Sequence, residues 1–369
     1  MKIVKIDTFP LNATLERPFS ISTTTFKNVR ALITRVTTDN GIVGIGESVV
    51  RSAPRATKYL VEETLAPLII GKDPLNVSGI WWDMFSAMRT RGHTKGHFVE
   101  AISSIDIALW DIVGKYLNLP VYKALHGYGR NKFTAYASSI FNGEIGEMVD
   151  KAQEFLNMGY KAMKIKLGMG LNKDIETIKA IRLSVGDSIK LMVDINSRYD
   201  AATSIRLGRK IEEFNIEWIE EPVPPYDLKG YKQVKNGQHI PIAGGEGEFT
   251  VFGFKDLLAT EALDLVQPDI CRVGGFTEAM RIAALVYANN IKLQPHTGFF
   301  SGLNIIVAMH FAAAAPNLLT FEFMELDHPL IEIFKEPIIR PKNGLIELPE
   351  KPGLGVELDI DKIKRWIEN

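Results

Sequence analysis

From about Asn131 to about residue 323 the chain repeats one pattern, a short apolar run ending in polar residues and followed by a longer stretch with helical spacing. The runs are Phe133 to Ser138, Ala162 to Leu167, Lys190 to Asp194, Glu217 to Glu220, Pro241 to Gly245, Leu263 to Pro268, Lys292 to Gln294 and Leu319 to Glu322. Strands that alternate with helices in this way pair in parallel, because a parallel neighbour is reached only through a crossover long enough to hold a helix. Eight βα-like units in about 200 residues match a TIM-type barrel better than a doubly wound sheet, which needs fewer strands and a glycine-rich phosphate turn after its first. Neither GxGxxG nor GxxxxGK[ST] occurs.

The first hundred or so residues have another rhythm. Strand-like runs cover Lys2 to Leu11 and Val29 to Thr38, and the turn Asp39-Asn40-Gly41 leads into Ile42 to Gly46, a hairpin signal. Helical spacing follows from Ala56 to Leu65 and from Val99 to Leu117. Strands segregated from helices indicate an α+β unit. After the barrel, Glu336 to Asn369 carries Asn343-Gly344 and Pro352-Gly353-Leu354-Gly355, and reads as loops and short strands that pack back on the N-terminal unit. The expected division is an α+β capping domain over residues 1–128, a catalytic barrel over 129–325 and a returning C-terminal segment over 326–369.

Charge and cysteine content exclude several function classes. The 43 basic residues face 44 acidic ones, a formal net charge of -1, so no global positive field gathers nucleic acid or an acidic membrane. The single cysteine, Cys271, cannot form an intrachain disulfide or an all-cysteine metal site and fits a reducing compartment. The N-terminus alternates like a strand and lacks the apolar centre of a signal peptide. No window supplies the roughly 20 apolar residues of a membrane span. A cytoplasmic protein with no nucleic-acid or membrane partner is expected.

Functional residues of such a barrel sit at the C-terminal ends of its strands. Lys164 and Lys166 end the second run, Asp194 and Asn196 the third, Glu220 the fourth, Glu246 the fifth, Asp269 the sixth, His296 the seventh and Glu322 the eighth, at steps of 23 to 28 residues from Lys166 onward. Asp194, Glu220 and Glu246 end adjacent strands and converge at one rim, where like charges repel unless a divalent cation lies between them. All-oxygen ligation without cysteine suits Mg²⁺, or Mn²⁺, better than zinc. Lys164 and Lys166 are i and i+2 on one strand and share a face, and two neighbouring ammonium groups are expected to depress each other's pKa and leave one able to act as a base. Asp269 and His296 end neighbouring strands, a spacing that lets the aspartate orient the imidazole and raise its basicity.

These residues resemble the enolase superfamily, and within it the mandelate racemase subgroup. The matching pieces are Gly44-Ile45-Gly46-Glu47, the helix Ile105 to Asp111, Lys164-Ile165-Lys166, Asp194-Ile195-Asn196, Trp218-Ile219-Glu220-Glu221-Pro222, Gly245-Glu246, Pro268-Asp269 before Gly274-Gly275, Pro295-His296 and Pro352 to Gly355. The resemblance implies a modified, (β/α)7β-like barrel under an α+β cap, and a metal held by Asp194, Glu220 and Glu246. It implies Lys166 and His296 on opposite faces of a small carboxylate substrate, with Asp269 as partner of the histidine. Lys164 and Glu322 would contact the substrate carboxylate, Ser138 would add a carboxylate contact, and Asn196 a polar rim group. Glu221 would face away from Glu220 and support the site from behind. An aspartate at position 269, where the muconate-cycloisomerase subgroup has a lysine, selects the subgroup. Barrels of this kind often self-associate through their caps, so a homo-oligomer is expected.

The chemistry implied is removal of the proton α to a carboxylate, to give an enediolate that a cation and hydrogen-bond donors stabilise. Loss of a β-hydroxyl then gives a 2-keto-3-deoxy acid, and a hydro-lyase acting on an aldonate or aldarate is the favoured outcome by resemblance. Reprotonation on the opposite face would instead give a racemase or epimerase of a 2-hydroxy acid. Phe299, Phe300 and Phe19 bear on this choice, since a less polar pocket suits a more apolar 2-hydroxy acid and barrel packing accounts for the same residues equally well. A silent homologue serving as a sensor is the third reading. The segment Arg17 to Thr25 is expected to close over the substrate, with the stretch Arg89 to His97 nearby.

Overall fold

The eight runs fold as eight parallel strands: β4 (Lys132–Ile140), β5 (Ala162–Lys166), β6 (Lys190–Asp194), β7 (Ile216–Glu220), β8 (Ile242–Gly244), β9 (Leu265–Val266), β10 (Lys292–Leu293) and β11 (Phe321–Phe323). Before them β1 (Ile3–Ile21), β2 (Thr24–Thr38) and β3 (Val43–Ser48) form an antiparallel sheet, and β12 (Leu345–Glu347) follows. This computed structural model describes residues 1–368; Asn369, the last residue of the expected returning segment, lies outside the described residues. The parallel sheet runs β10-β9-β8-β7-β6-β5-β4-β11. It closes on itself where the amide of Leu319, just before β11, donates to the Leu293 carbonyl of β10 at 2.9 Å, beside a Leu293–Leu318 bridge. Helices follow the first seven strands, whereas β11 is followed by the 3-10 turn Pro329–Ile331 and then β12, and the short helix Ile360–Lys364 comes only in the returning segment. The barrel is therefore of the (β/α)7β kind.

Why strand β3 carries Gly44 and Gly46 is settled by what lies beneath it. The helix His97–Leu117 packs on β3 backbone to backbone. A Cβ at Gly44 would stand 2.0 Å from the Ala108 carbonyl oxygen, and one at Gly46 1.9 Å from that of Ser104. Glu47, the next residue, is fully buried and accepts from the Ser301 amide at 2.9 Å and the Ser301 hydroxyl at 2.6 Å. The cap is thereby tied to the loop that follows β10. Burial raises the Glu47 pKa to about 7, against those two hydrogen bonds.

The other recurring sequence pieces lie along the same seam. Asp106 accepts from the Thr277 amide at 3.0 Å, and a Cβ at Gly275, where φ is +80°, would meet the Asp106 carboxylate at 2.3 Å. Asp111 accepts from the Ile45 amide at 3.0 Å and the Leu354 amide at 2.8 Å, so one carboxylate joins cap strand, cap helix and the Pro352–Gly355 turn. A Cβ at Gly353 would meet the same carboxylate at 2.2 Å.

Several elements depart from the sequence reading, among them the helices Val77–Arg89 and Ile360–Lys364, which it did not name. Strand β1 runs past Leu11 to Ile21, because the β1–β2 ladder resumes beyond an irregularity between Thr14 and Phe19 and carries the hairpin out to its tip. The segment Arg17 to Thr25 is thus the end of a ribbon. It docks on the barrel mouth, with the Ser22 hydroxyl donating to the Ile195 carbonyl at 3.0 Å and the Asn142 amide donating to the Ser20 carbonyl at 3.0 Å. The C-terminal segment reaches the cap, where Asn12 donates to Trp366 at 2.8 Å, but its strand β12 first pairs antiparallel with Lys132 to Thr134 of β4. That stretch extends below the β4–β5 pairing, which begins at Ala137, and β12 satisfies its free backbone edge.

Replacing Gly46 by alanine forces a methyl into a backbone oxygen, and a loss of about 3 kcal/mol is expected. It would be read as a lower urea midpoint at unchanged slope, with the cap seam as the site of damage.

Candidate active site

Register places the first half of the site. Lys166 pairs with Asp194 across β5–β6, and Asp194 with Glu220 across β6–β7, so one row of the barrel rim carries all three side chains. Glu246 lies two residues beyond β8, delivered by Gly245 at φ +112°. One carboxylate oxygen from each of Asp194, Glu220 and Glu246 lies within 4.8 Å of the other two. Lys166 donates to Asp194, and Lys164 donates to Glu220, lies 2.6 Å from Glu322 and 3.6 Å from Asp194. The Ser138 hydroxyl of β4 donates to Glu322, and the Thr297 amide donates to the other oxygen of that carboxylate at 2.9 Å.

The second half comes from β9 and β10. His296 Nδ1 stands 2.9 Å from the Asp269 carboxylate, and its Nε2 stands 3.2 Å from Glu246 Oε2. Asp269 is held in turn by the Cys271 amide at 2.9 Å and the Asn304 side chain at 3.3 Å. Asn196, at φ +48°, turns its amide and side-chain nitrogens to Asp194 at 2.8 and 3.2 Å. Glu221, at φ +44°, faces away as expected, accepting from the Gly245 amide at 3.0 Å and the Ser197 hydroxyl at 3.2 Å. Every residue singled out at the strand ends is brought to this one centre.

Electrostatics correct one expectation. The two lysines were expected to depress each other's pKa, but Lys164 is enclosed by acids. Burial opposes its charge, yet Glu220, Glu322 and Asp194 outweigh burial and hold its pKa well above the usual value. Burial also works against Asp194 as a carboxylate, but Lys166 and Lys164 keep its pKa below the ordinary range. Glu220 goes the other way, to about 8, through burial first and then the charges of Asp194 and Glu322. Glu322 is held down to about 2 because Lys164 and His296 outweigh the burial that would raise it.

Such a triad fits a hard divalent cation. The donors are carboxylate oxygens only, Glu220 is driven toward protonation by burial and by Asp194 and Glu322, and Glu246 Oε2 is buried with no hydrogen bond, its near charge being His296 Nε2 at 3.2 Å.

The sequence reading gave no role to several residues that hold the centre. Gln267 donates to Glu220 at 2.6 Å and to Gln294 at 2.7 Å, and Trp218 donates to Glu220 at 3.3 Å. Each precedes a strand-end residue by two positions, Gln267 before Asp269, Gln294 before His296 and Trp218 before Glu220, and that spacing is a signal that they share its face. Arg51, which reaches Glu246 at 3.5 Å from the cap, leaves no such trace. Over the mouth, Phe19 and Phe26 of the hairpin, Phe141 after β4 and Phe299 after β10 form one aromatic cluster with ring centroids 4.2 to 6.1 Å apart. Phe19 and Phe141 also line a cavity of about 830 Å³ together with Arg17, Ser139 and His328.

Residues 3–126 match the family described as mandelate racemase / muconate lactonizing enzyme, N-terminal domain, and residues 147–363 the family described as enolase C-terminal domain-like. The chain is 34% identical over 379 residues to D-galactarolactone cycloisomerase of Agrobacterium fabrum, with 99% of each chain covered. It is 32% identical to arabinonate dehydratase of Saccharolobus solfataricus, covering 87% of this chain and 86% of that one. A racemase from Streptomyces coelicolor A3(2), solved with bound magnesium, superposes with a TM-score of 0.92 at 29% identity, covering 99% of this chain and all of the other. With barrel, cap and strand-end constellation all in agreement, the chain belongs to the enolase superfamily, in its mandelate racemase subgroup.

Proposed function

We propose that this enzyme removes the proton α to the carboxylate of a sugar acid, an aldonate or aldarate, and expels the β-hydroxyl to give a 2-keto-3-deoxy acid. The observation that supports it is that Lys166 and the His296–Asp269 pair bracket the carboxylate triad from its two ends, Lys166 on Asp194 and His296 Nε2 on Glu246. Asp194, Glu220 and Glu246 would hold Mg²⁺, which supplies positive charge where the substrate carboxylate gains electron density. Lys164 and Glu322, joined to each other and to Ser138, would position that carboxylate. One of Lys166 and His296 takes the α-proton, the configuration at the α-carbon deciding which. The other protonates the β-oxygen as its C–O bond breaks, and water leaves. The enol that remains tautomerises to the keto acid. Asp269 keeps His296 Nε2 directed at the reacting atoms.

A second reading has its own support. The aromatic cluster of Phe19, Phe26, Phe141 and Phe299 offers a C–H-stacking wall rather than hydrogen bonds, and a relative covered over nearly its full length is a cycloisomerase of a sugar lactone. In an aldarate 1,4-lactone the oxygen β to the free carboxylate belongs to the ring, so the same elimination opens the ring and yields an isomer of the substrate.

Incubation with Mg²⁺ and a library of aldonates, aldarates and their lactones, followed by semicarbazide detection and mass spectrometry, separates these readings. A keto acid 18 mass units below the substrate is expected, and an isobaric keto acid from lactones alone would move the assignment to ring opening. Lys166→Ala and His296→Asn should each lower kcat at least about 1,000-fold. Absence of keto acid with α-proton exchange into heavy water would identify a racemase or epimerase, and absence of both would reject the proposal.

Burial works against charging His296, but Glu246 and Asp269 outweigh it and lift its pKa from 6.5 to about 8. The folded value lies above the unfolded one, so the stability this charge contributes is complete below pH 6.5 and is lost as pH rises through about 8. NMR titration of the imidazole before Mg²⁺ is added should show that midpoint, and Asp269→Asn should shift it downward; an unmoved midpoint would remove Asp269 as its cause.

A further inference from the structure

At the end of the barrel away from the strand-end carboxylates, a cavity of about 340 Å³ opens among the first residues of β4, β5, β6 and β7. Its inner wall is apolar, made by Trp218, Met192 and Ala162. Trp218 and Met192 belong to a small buried cluster with Tyr136, Ala243 and Leu265 that plugs the barrel separately from the main core. The outer rim carries Leu345, which is 44% exposed, and two lysines. Lys190 is engaged by Glu217 at 3.3 Å, whereas Lys161 has no acidic partner among the described residues.

A void this apolar gives water few partners, and its volume lies within the range of small-molecule pockets. An apolar floor of Trp218, Met192 and Ala162 and one ammonium at the rim without an acidic partner together describe the complement. We propose that this cavity is a second binding site, for a planar apolar molecule bearing a single carboxylate, its ring against Trp218 and its charge at Lys161. The site is separate from the sugar-acid centre, although only one layer of side chains divides them: Trp218 donates to Glu220 at 3.3 Å, and its ring meets that of Tyr136 at 5.6 Å.

The test titrates the full-length protein, without Mg²⁺, with 2-naphthoate by calorimetry and follows the methionine methyl signals by NMR, with Met192→Leu supplying the assignment. Saturable binding at one site per chain with a shift of the Met192 methyl is expected. Lys161→Glu should weaken binding about tenfold while leaving the uncharged analogue 2-naphthalenemethanol unaffected. Ala162→Phe should abolish both by filling the space, and should that variant not fold, the exposed Lys161→Glu change decides alone. Lys166→Ala should bind naphthoate as the parent does. Absence of saturable binding, equal affinity in Lys161→Glu, or a loss in Lys166→Ala that places the probe in the catalytic centre would each overturn the proposal.

Discussion

The constraint on which the rest depends is the burial of like charge at one end of the barrel. Asp194, Glu220, Asp269 and Glu322 are almost wholly withdrawn from water, Glu246 mostly so, and Lys164, Lys166 and His296 lie among them. Charges in such a place are tolerable only when each is met by an opposite charge or a hydrogen bond of good geometry. The barrel supplies that geometry through register, since parallel strands of matched height set Lys166, Asp194 and Glu220 side by side. Interior neighbours one pleat below, Trp218 and Gln267, donate to the remaining oxygen of Glu220. The consequence is a set of acids whose affinities for protons are pushed apart, Asp194 and Glu322 downward and Glu220 upward, within a few ångströms. Divergence of that kind is what a proton-transfer site requires.

The cap solves a different problem. A barrel mouth of this polarity open to solvent would leave the charges hydrated and the chemistry weak, and over it Phe19 and Phe26 of the β1–β2 hairpin pack against Phe141 and Phe299 of two barrel loops. The hairpin can do so only if the cap sits at a fixed height, which the seam of Gly44, Gly46, Glu47, Asp106 and Asp111 provides through backbone contact and buried carboxylates that accept backbone amides. The barrel thus holds the part of the reaction shared across the superfamily, while rings contributed by two cap strands and two barrel loops shape what stands above it.

Much of this was legible in the chain. Eight strands were readable because each carries a short apolar run and a polar terminus at nearly constant spacing, and that same regularity exposed Lys166, Asp194, Glu220, Glu246, Asp269, His296 and Glu322 together. The roles of Gln267 and Trp218 were hidden because a neutral side chain beside an apolar one gives no sign of what it donates to. Arg51 was hidden more deeply, since it lies 195 positions from Glu246 and no local pattern links them. The mutual depression expected of the two lysines fails at Lys164 for a related reason: Lys166 is two positions away in sequence, while the acids that outweigh it arrive from β7 and β11.

The sequence by itself determined the element order, the parallel pairing and the identity of the strand-end residues, because these depend on periodicity and on residue type within a few positions. The tertiary structure alone decided the length of the β1–β2 hairpin, the addition of β12 to β4, the aromatic roof and the balance of charge around Lys164. Each of those is set by what distant segments place nearby, and the energies involved, from strand-edge pairing to Coulomb interaction in a dry cavity, depend on distance in space and not along the chain.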